Sequence, residues 1–95
     1  MGDARFIHAI EVAARATGLV LEHVCDPPNP DSIAVLLGVY GADGYLEPCL
    51  FRRSLVINWV QTFDEDGQRH LAGRIETAKN LIREHYRHTG RNPFT

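Results

Sequence analysis

The segment from Ser32 to Tyr40 most constrains how this chain can fold. Ile33, Ala34, Val35, Leu36, Leu37 and Val39 leave almost no polar side chain for either face of an extended strand. Such a run is expected of a strand covered on both faces or placed centrally in a sheet. Before it stands Asp26-Pro27-Pro28-Asn29-Pro30, where each proline lacks a donor and restricts the residue ahead of it, so no ladder continues through. After it, Gly41-Ala42-Asp43-Gly44 suits a tight reversal, and residues 45–52 resume extended character. Residues 32–40 and 45–52 therefore read as the two arms of a β-hairpin. Pro48, inside the second arm, predicts an edge strand or a kink, because only there would a missing N–H go unnoticed.

The flanking segments add helices and two further strands. Over residues 3–17, Phe6, Ile7, Ile10, Ala13 and Ala14 recur at helical spacing opposite His8, Glu11 and Arg15, and Gly18 follows where a left-handed terminating residue is commonly needed. Residues 19–25 alternate, with Leu19, Leu21, His23 and Cys25 expected on one side and Val20, Glu22 and Val24 on the other. Residues 55–62 also alternate and are rich in β-branched side chains, which predicts a fourth strand. Asp64-Glu65-Asp66-Gly67 is expected to close it. Residues 68–89 then form a helix with Leu71, Ile75, Ala78, Ile82 and Tyr86 on its apolar face, and Gly90 and Pro93 stop it. Lys79, Arg83, Arg87 and His88 near its end complement the helix dipole.

The expectation is one α+β domain over residues 1–95, ordered α-β-β-β-β-α, with a four-stranded, mostly antiparallel sheet between an N-terminal and a C-terminal helix. The last helix would run roughly 30 Å against a sheet only about 20 Å across. Its C-terminal turns are therefore expected to overhang, leaving Arg83, Tyr86, Arg87 and Arg91 exposed.

Charge and cysteine content exclude several classes of function. A formal net charge of −2 supplies no global field that would draw the chain onto nucleic acid or an acidic membrane. No stretch is long and apolar enough to span a bilayer, and His8, Glu11 and Arg15 interrupt what a signal peptide would keep apolar. Cys25 and Cys49 fall short of a disulfide framework and read as reduced thiols, so the expected location is the cytoplasm.

No chemistry-bearing pattern stands out. His23, Cys25 and Cys49, or His85 with His88, would each need further ligands to hold zinc. Asp31 and Glu47 are spaced somewhat like the carboxylates of a metal-dependent nuclease, but Cys49 stands where that chemistry wants a lysine. Ser32, Ser54 and the thiols lack a nucleophile elbow, and Gly38, Gly41 and Gly44 lead into no helix that would cradle phosphate. No catalytic residue, metal ligand set or cofactor is assigned.

The order helix, several strands, helix resembles that of double-stranded RNA-binding domains, a likeness of topology alone. That family places lysines at the start of its last helix, where this chain has Asp64, Glu65 and Asp66. Arg83, Arg87 and Arg91 do recur every four residues and, with Arg52 and Arg53, make nucleic-acid contact the alternative reading, though a disfavoured one. By elimination the chain reads as a small non-enzymatic protein-binding module. It would be an adaptor or an inhibitor of the kind that phages and mobile elements encode, acting by occupying a partner's surface. The partner is a protein, or a second copy paired through an edge strand. Candidate contact residues are Tyr45, Arg52, Arg53, Arg83, Tyr86, Arg87 and Arg91. Trp59 is expected in the core.

Overall fold

The computed structural model describes residues 3–40, 44–90 and 92–94. The elements in chain order are α1 (Ala4–Ala16), β1 (Val20–Cys25), β2 (Ser32–Gly38), β3 (Glu47–Arg52), α2 (Arg53–Thr62) and α3 (Glu65–Arg87). The fold is α+β: a three-stranded antiparallel sheet in the order β1-β2-β3, with the helices on one of its faces. The apolar run is the central strand, as expected. Gly41, Ala42 and Asp43 of the expected reversal lie outside the described residues.

Helix α1 buries Phe6, Ile10 and Ala14. It ends as its sequence suggests: Thr17 Oγ1 donates to the Ala14 carbonyl at 2.8 Å, and Gly18 adopts φ +88. Leu19, 1% exposed, then turns the chain into β1. On the sheet, Ile33, Val35 and Leu37 of β2 and Cys49 and Phe51 of β3 point at the helices and join one apolar cluster with Val56 of α2 and Leu71, Ile75, Ala78, Ile82 and Tyr86 of α3.

The expected fourth strand is instead helix α2. Alternating Leu55, Ile57 and Trp59 with Val56, Asn58 and Val60 satisfies a two-residue period, but Val56, Trp59 and Val60 also lie at the spacing of one helical face. Tertiary packing selects the helix despite its β-branched content. Its start is capped from far away in sequence. The Asp31 carbonyl accepts the Arg53 N–H at 2.7 Å, and the Asp31 carboxylate accepts the Ser54 N–H at 3.3 Å. At the other end Phe63 takes a left-handed φ of 54 and is 74% exposed.

Helix α3 begins three residues earlier than expected. Asp64 caps it by accepting the Gly67 N–H at 3.1 Å, so Glu65, Asp66 and Gly67 form its first turn rather than closing a strand. Gly67 is required by contact: a Cβ there would stand 2.3 Å from the Leu55 carbonyl oxygen and 3.0 Å from Trp59, so α2 and α3 cross at backbone distance. The C-terminal turns expose Arg83 and Arg87, as expected, but are packed at Tyr86. Tyr86 is 0% exposed and meets Tyr45 edge-on, while Phe94 folds back beneath Lys79 and Arg83. Tyr86 continues the buried 71-75-78-82 stripe, so it is a core residue and leaves the set of candidate contacts.

Candidate functional site

Because β2 is central, β1 and β3 are both edges, and the backbone groups facing away from β2 must find partners elsewhere or remain available. On β3 three of these positions are closed. Pro48 has no N–H, the Leu50 carbonyl accepts Arg74 Nε at 2.8 Å, and the Arg52 N–H donates to His70 Nε2 at 2.8 Å. His70 and Arg74 are one turn apart on α3, so a single helix face closes the edge. Burial, then the charges of Arg74 and Arg52, hold the His70 imidazole below its ordinary pKa. Its neutral form therefore keeps Nε2 as the acceptor.

Strand β1 carries no such cover among the described residues, and its free edge borders the outer face of the sheet. The register pairs Val20 with Gly38, Leu21 with Leu37, His23 with Leu36, Val24 with Val35 and Cys25 with Ala34, with a bulge between Leu21 and His23. The bulge corrects the expected alternation. Leu21 and Val24 share the helix-side face with Leu37 and Val35, whereas Val20, His23 and Cys25 lie on the outer one. Glu22, the extra residue, leans over Gly38, its Cγ 3.5 Å from where a Cβ would stand. The centre of the outer face is apolar where an uncovered antiparallel sheet is commonly polar, with His23 and Glu22 at its β1 side. Ala34 and Leu36 lie at its centre, flanked by Cys25 and by Leu50, 42% exposed.

The expected contact residues are dispersed and mostly committed. Arg52 is exposed at the end of β3, its Nε 3.9 Å from Asp31. Arg53 binds Asp3 through Nη2 at 2.6 Å and Nε at 3.2 Å, and lies over the Phe6 ring, tying α2 to the start of α1. That bond keeps the Asp3 carboxyl below its ordinary pKa. Tyr45 stacks on His85 at 3.7 Å and donates to Glu47 at 2.6 Å, a bond that, with burial, pushes its hydroxyl up to about 12. Arg83 reaches Asn80 at 2.8 Å and covers Phe94, and Arg87 pairs with Glu84 at 2.9 Å. Arg91 lies outside the described residues. His70, Arg74 and the β1 edge were not singled out from sequence; the available signal was a polar i, i+4 pair beside the buried Leu71 and Ile75.

The thiols do not converge. Cys25 is on the outer face, whereas Cys49 is buried on the helix side, where loss of solvent pushes its pKa up to about 11. Among the described residues no group of three or more His, Cys, Asp or Glu side chains is placed to hold a metal ion, and no helix is long and apolar enough to cross a membrane. Between α1 and α3 runs an apolar groove of about 290 Å³ lined by Ala13, Ala16, Trp59, Leu71, Ala72 and Ile75. Trp59 is half-buried there rather than fully in the core, with Phe63 packed edge-on against it at 5.6 Å. Comparison of the chain with family models, curated proteins and solved structures gives no match.

Proposed function

We propose that this chain is a non-enzymatic protein-binding module, of the adaptor or inhibitor kind, that works by strand addition at β1, and that the strand it takes is β1 of a second copy. The observation that carries this reading is the facing order of β1 at its open edge. From Val20 to Cys25 the side chains run outer, inner, outer, outer, inner, outer, because the bulge places Glu22 and His23 on the same side. That order is the same read from either end.

Antiparallel pairing requires opposed residues to share a face. A register centred between Glu22 and His23 meets this at every position. Val20 stands opposite Cys25 on the outer face, Leu21 opposite Val24 on the helix side, and Glu22 opposite His23 twice about the two-fold axis. Val24, 44% exposed in the single chain, gains an apolar neighbour. Nucleic-acid contact through Arg83 and Arg87 has less support, since both guanidinium groups already engage neighbours on α3 or in the tail.

Sedimentation equilibrium on the whole chain tests the proposal. The native chain is expected to show a concentration-dependent monomer–dimer equilibrium. Val24→Lys, which adds a charge at an exposed position of the edge, is expected to remain folded by circular dichroism and to stay monomeric. A native chain that is monomeric throughout, or a Val24→Lys dimer of unchanged affinity, would overturn the β1 assignment.

A further inference from the structure

The closed β3 edge borders an open cavity of about 290 Å³, lined by Asn29, Asp31, Ser32, Leu50, Phe51, Arg52, His70 and Arg74. It lies at the sheet edge opposite β1, so its residues take no part in strand addition there. The contacts that close the edge also orient hydrogen-bond donors. Arg74 spends Nε on the Leu50 carbonyl, which fixes its guanidinium plane and leaves Nη1 and Nη2 uncommitted among the described residues. His70 accepts the Arg52 N–H at Nε2, so its proton is carried on Nδ1. Asn29 uses Oδ1 to accept both the Asp31 N–H and the Ser32 hydroxyl, which among the described residues leaves its amide N–H groups available to donate. The Arg52 guanidinium projects at the mouth, 65% exposed.

One carboxylate offsets these donors in part. Asp31 lies 3.9 Å from Arg52 Nε, while its other oxygen caps α2 at Ser54. Two guanidinium groups against one carboxylate leave the cavity with a net positive charge. Planar guanidinium donors held beside N–H groups of fixed direction suit a compact oxyanion more than a diffuse cation or an apolar group.

We infer that the Arg52–His70–Arg74 cavity binds a compact oxyanion, with a phosphate monoester as its ligand class. Arg74 and His70 Nδ1–H provide the fixed donors, Arg52 closes over the outer oxygens, and Asp31 limits the affinity by repulsion. A dianionic monoester takes fuller advantage of two guanidinium groups than a monoanionic diester, and the carboxylate of Asp31 disfavours a polyanionic strand continuing past the site.

The test is a titration of the isotope-labelled full chain with inorganic phosphate and with phenyl phosphate, at ionic strength held constant by chloride and followed by NMR. Saturable shifts are expected at the His70 ring, the Arg52 amide and the Arg74 side chain, together with a rise in the His70 titration midpoint as the ligand's charge offsets the arginines. Arg74→Gln is expected to weaken binding at least tenfold. Asp31→Asn, which can still accept from Ser54, is expected to tighten it about threefold. Arg83→Gln, a control on the far half of α3, is expected to leave it unchanged. Shifts no larger than those caused by chloride alone, equal weakening by Arg74→Gln and Arg83→Gln, or no gain from Asp31→Asn would overturn the site. Saturation by a single-stranded oligonucleotide at lower concentration than by phosphate would overturn the monoester class.

Discussion

The two edges of the sheet are built from similar amounts of strand and treated in opposite ways. β3 lacks one outward N–H at Pro48 and has the Arg52 N–H and Leu50 carbonyl engaged by His70 and Arg74, whereas β1 keeps a bulged edge without such cover among the described residues and with Val24 exposed beside it. An edge with available N–H and C=O groups invites pairing, and natural sheets blunt such edges with proline, charge, a bulge or a covering element. On the proposed reading, the difference between the edges leaves β1 as the one at which a strand is added. The difference follows from helix placement: α3 packs beside β3, and α1 covers β1 from its face and not from its edge.

The comparison can be broken most severely at Gly67. Replacing it by alanine places a methyl group against the Leu55 carbonyl and Trp59, so α3 must move away from α2. A loss of about 2–3 kcal/mol in urea denaturation is expected. The displaced helix would also carry His70 and Arg74 off the β3 edge, read as faster amide exchange at Arg52.

A more selective break is His70→Ala, which removes the acceptor for the Arg52 N–H but leaves α3 in place. The expected cost is about 1 kcal/mol, again with faster exchange at Arg52 and little change at β1. If exchange at Arg52 were unaltered, the closure of β3 would have to reside in some other contact.

Acid should open the same edge without mutation. The folded-state pKa of His70 is depressed below its ordinary 6.5, so the contribution of its neutral form is fully present above that value and is lost as pH falls through the lower, folded midpoint. Exchange at Arg52, corrected for intrinsic rates, is therefore expected to accelerate below pH 6.5, while the Val24 amide follows only the intrinsic dependence.

The smallest effect expected is at the Asp3–Arg53 pair, which is partly exposed and touches neither edge. The folded pKa of Asp3 is depressed by Arg53, so its contribution is present above the ordinary 3.8 and is lost as pH falls through the folded value. Asp3→Asn should flatten the pH dependence of stability in that acid range and leave neutral-pH exchange at β1 and β3 as it was.

The legible parts of this fold are those whose signals are local. The apolar run of β2, the amphipathic stripes of α1 and α3, Gly18 at a left-handed position and Pro48 on an edge strand each depend on near neighbours in the chain. The illegible parts depend on distant ones. Residues 53–62 carry a period that suits a strand, and the cap that starts them as a helix comes from Asp31 across the sheet. Glu22 gives no local sign of a bulge, yet that one extra residue moves His23 and Val24 to faces opposite those expected after Leu21. Of the expected contact residues, Tyr86 sits on the apolar stripe of its own helix, and the spacing already contained the reason it is buried.

By itself, then, the sequence determined an α+β chain with a central apolar strand, a proline-marked edge and two amphipathic helices, because periodicity and backbone chemistry act within a few residues. Only the tertiary structure decided that the last expected strand is a helix, that α3 closes one edge while the other stays open, and that His70 and Arg74 meet Arg52 around one cavity. Those outcomes depend on which elements pack together, and no local pattern encodes the close crossing of α2 and α3 at Gly67 that brings them into place.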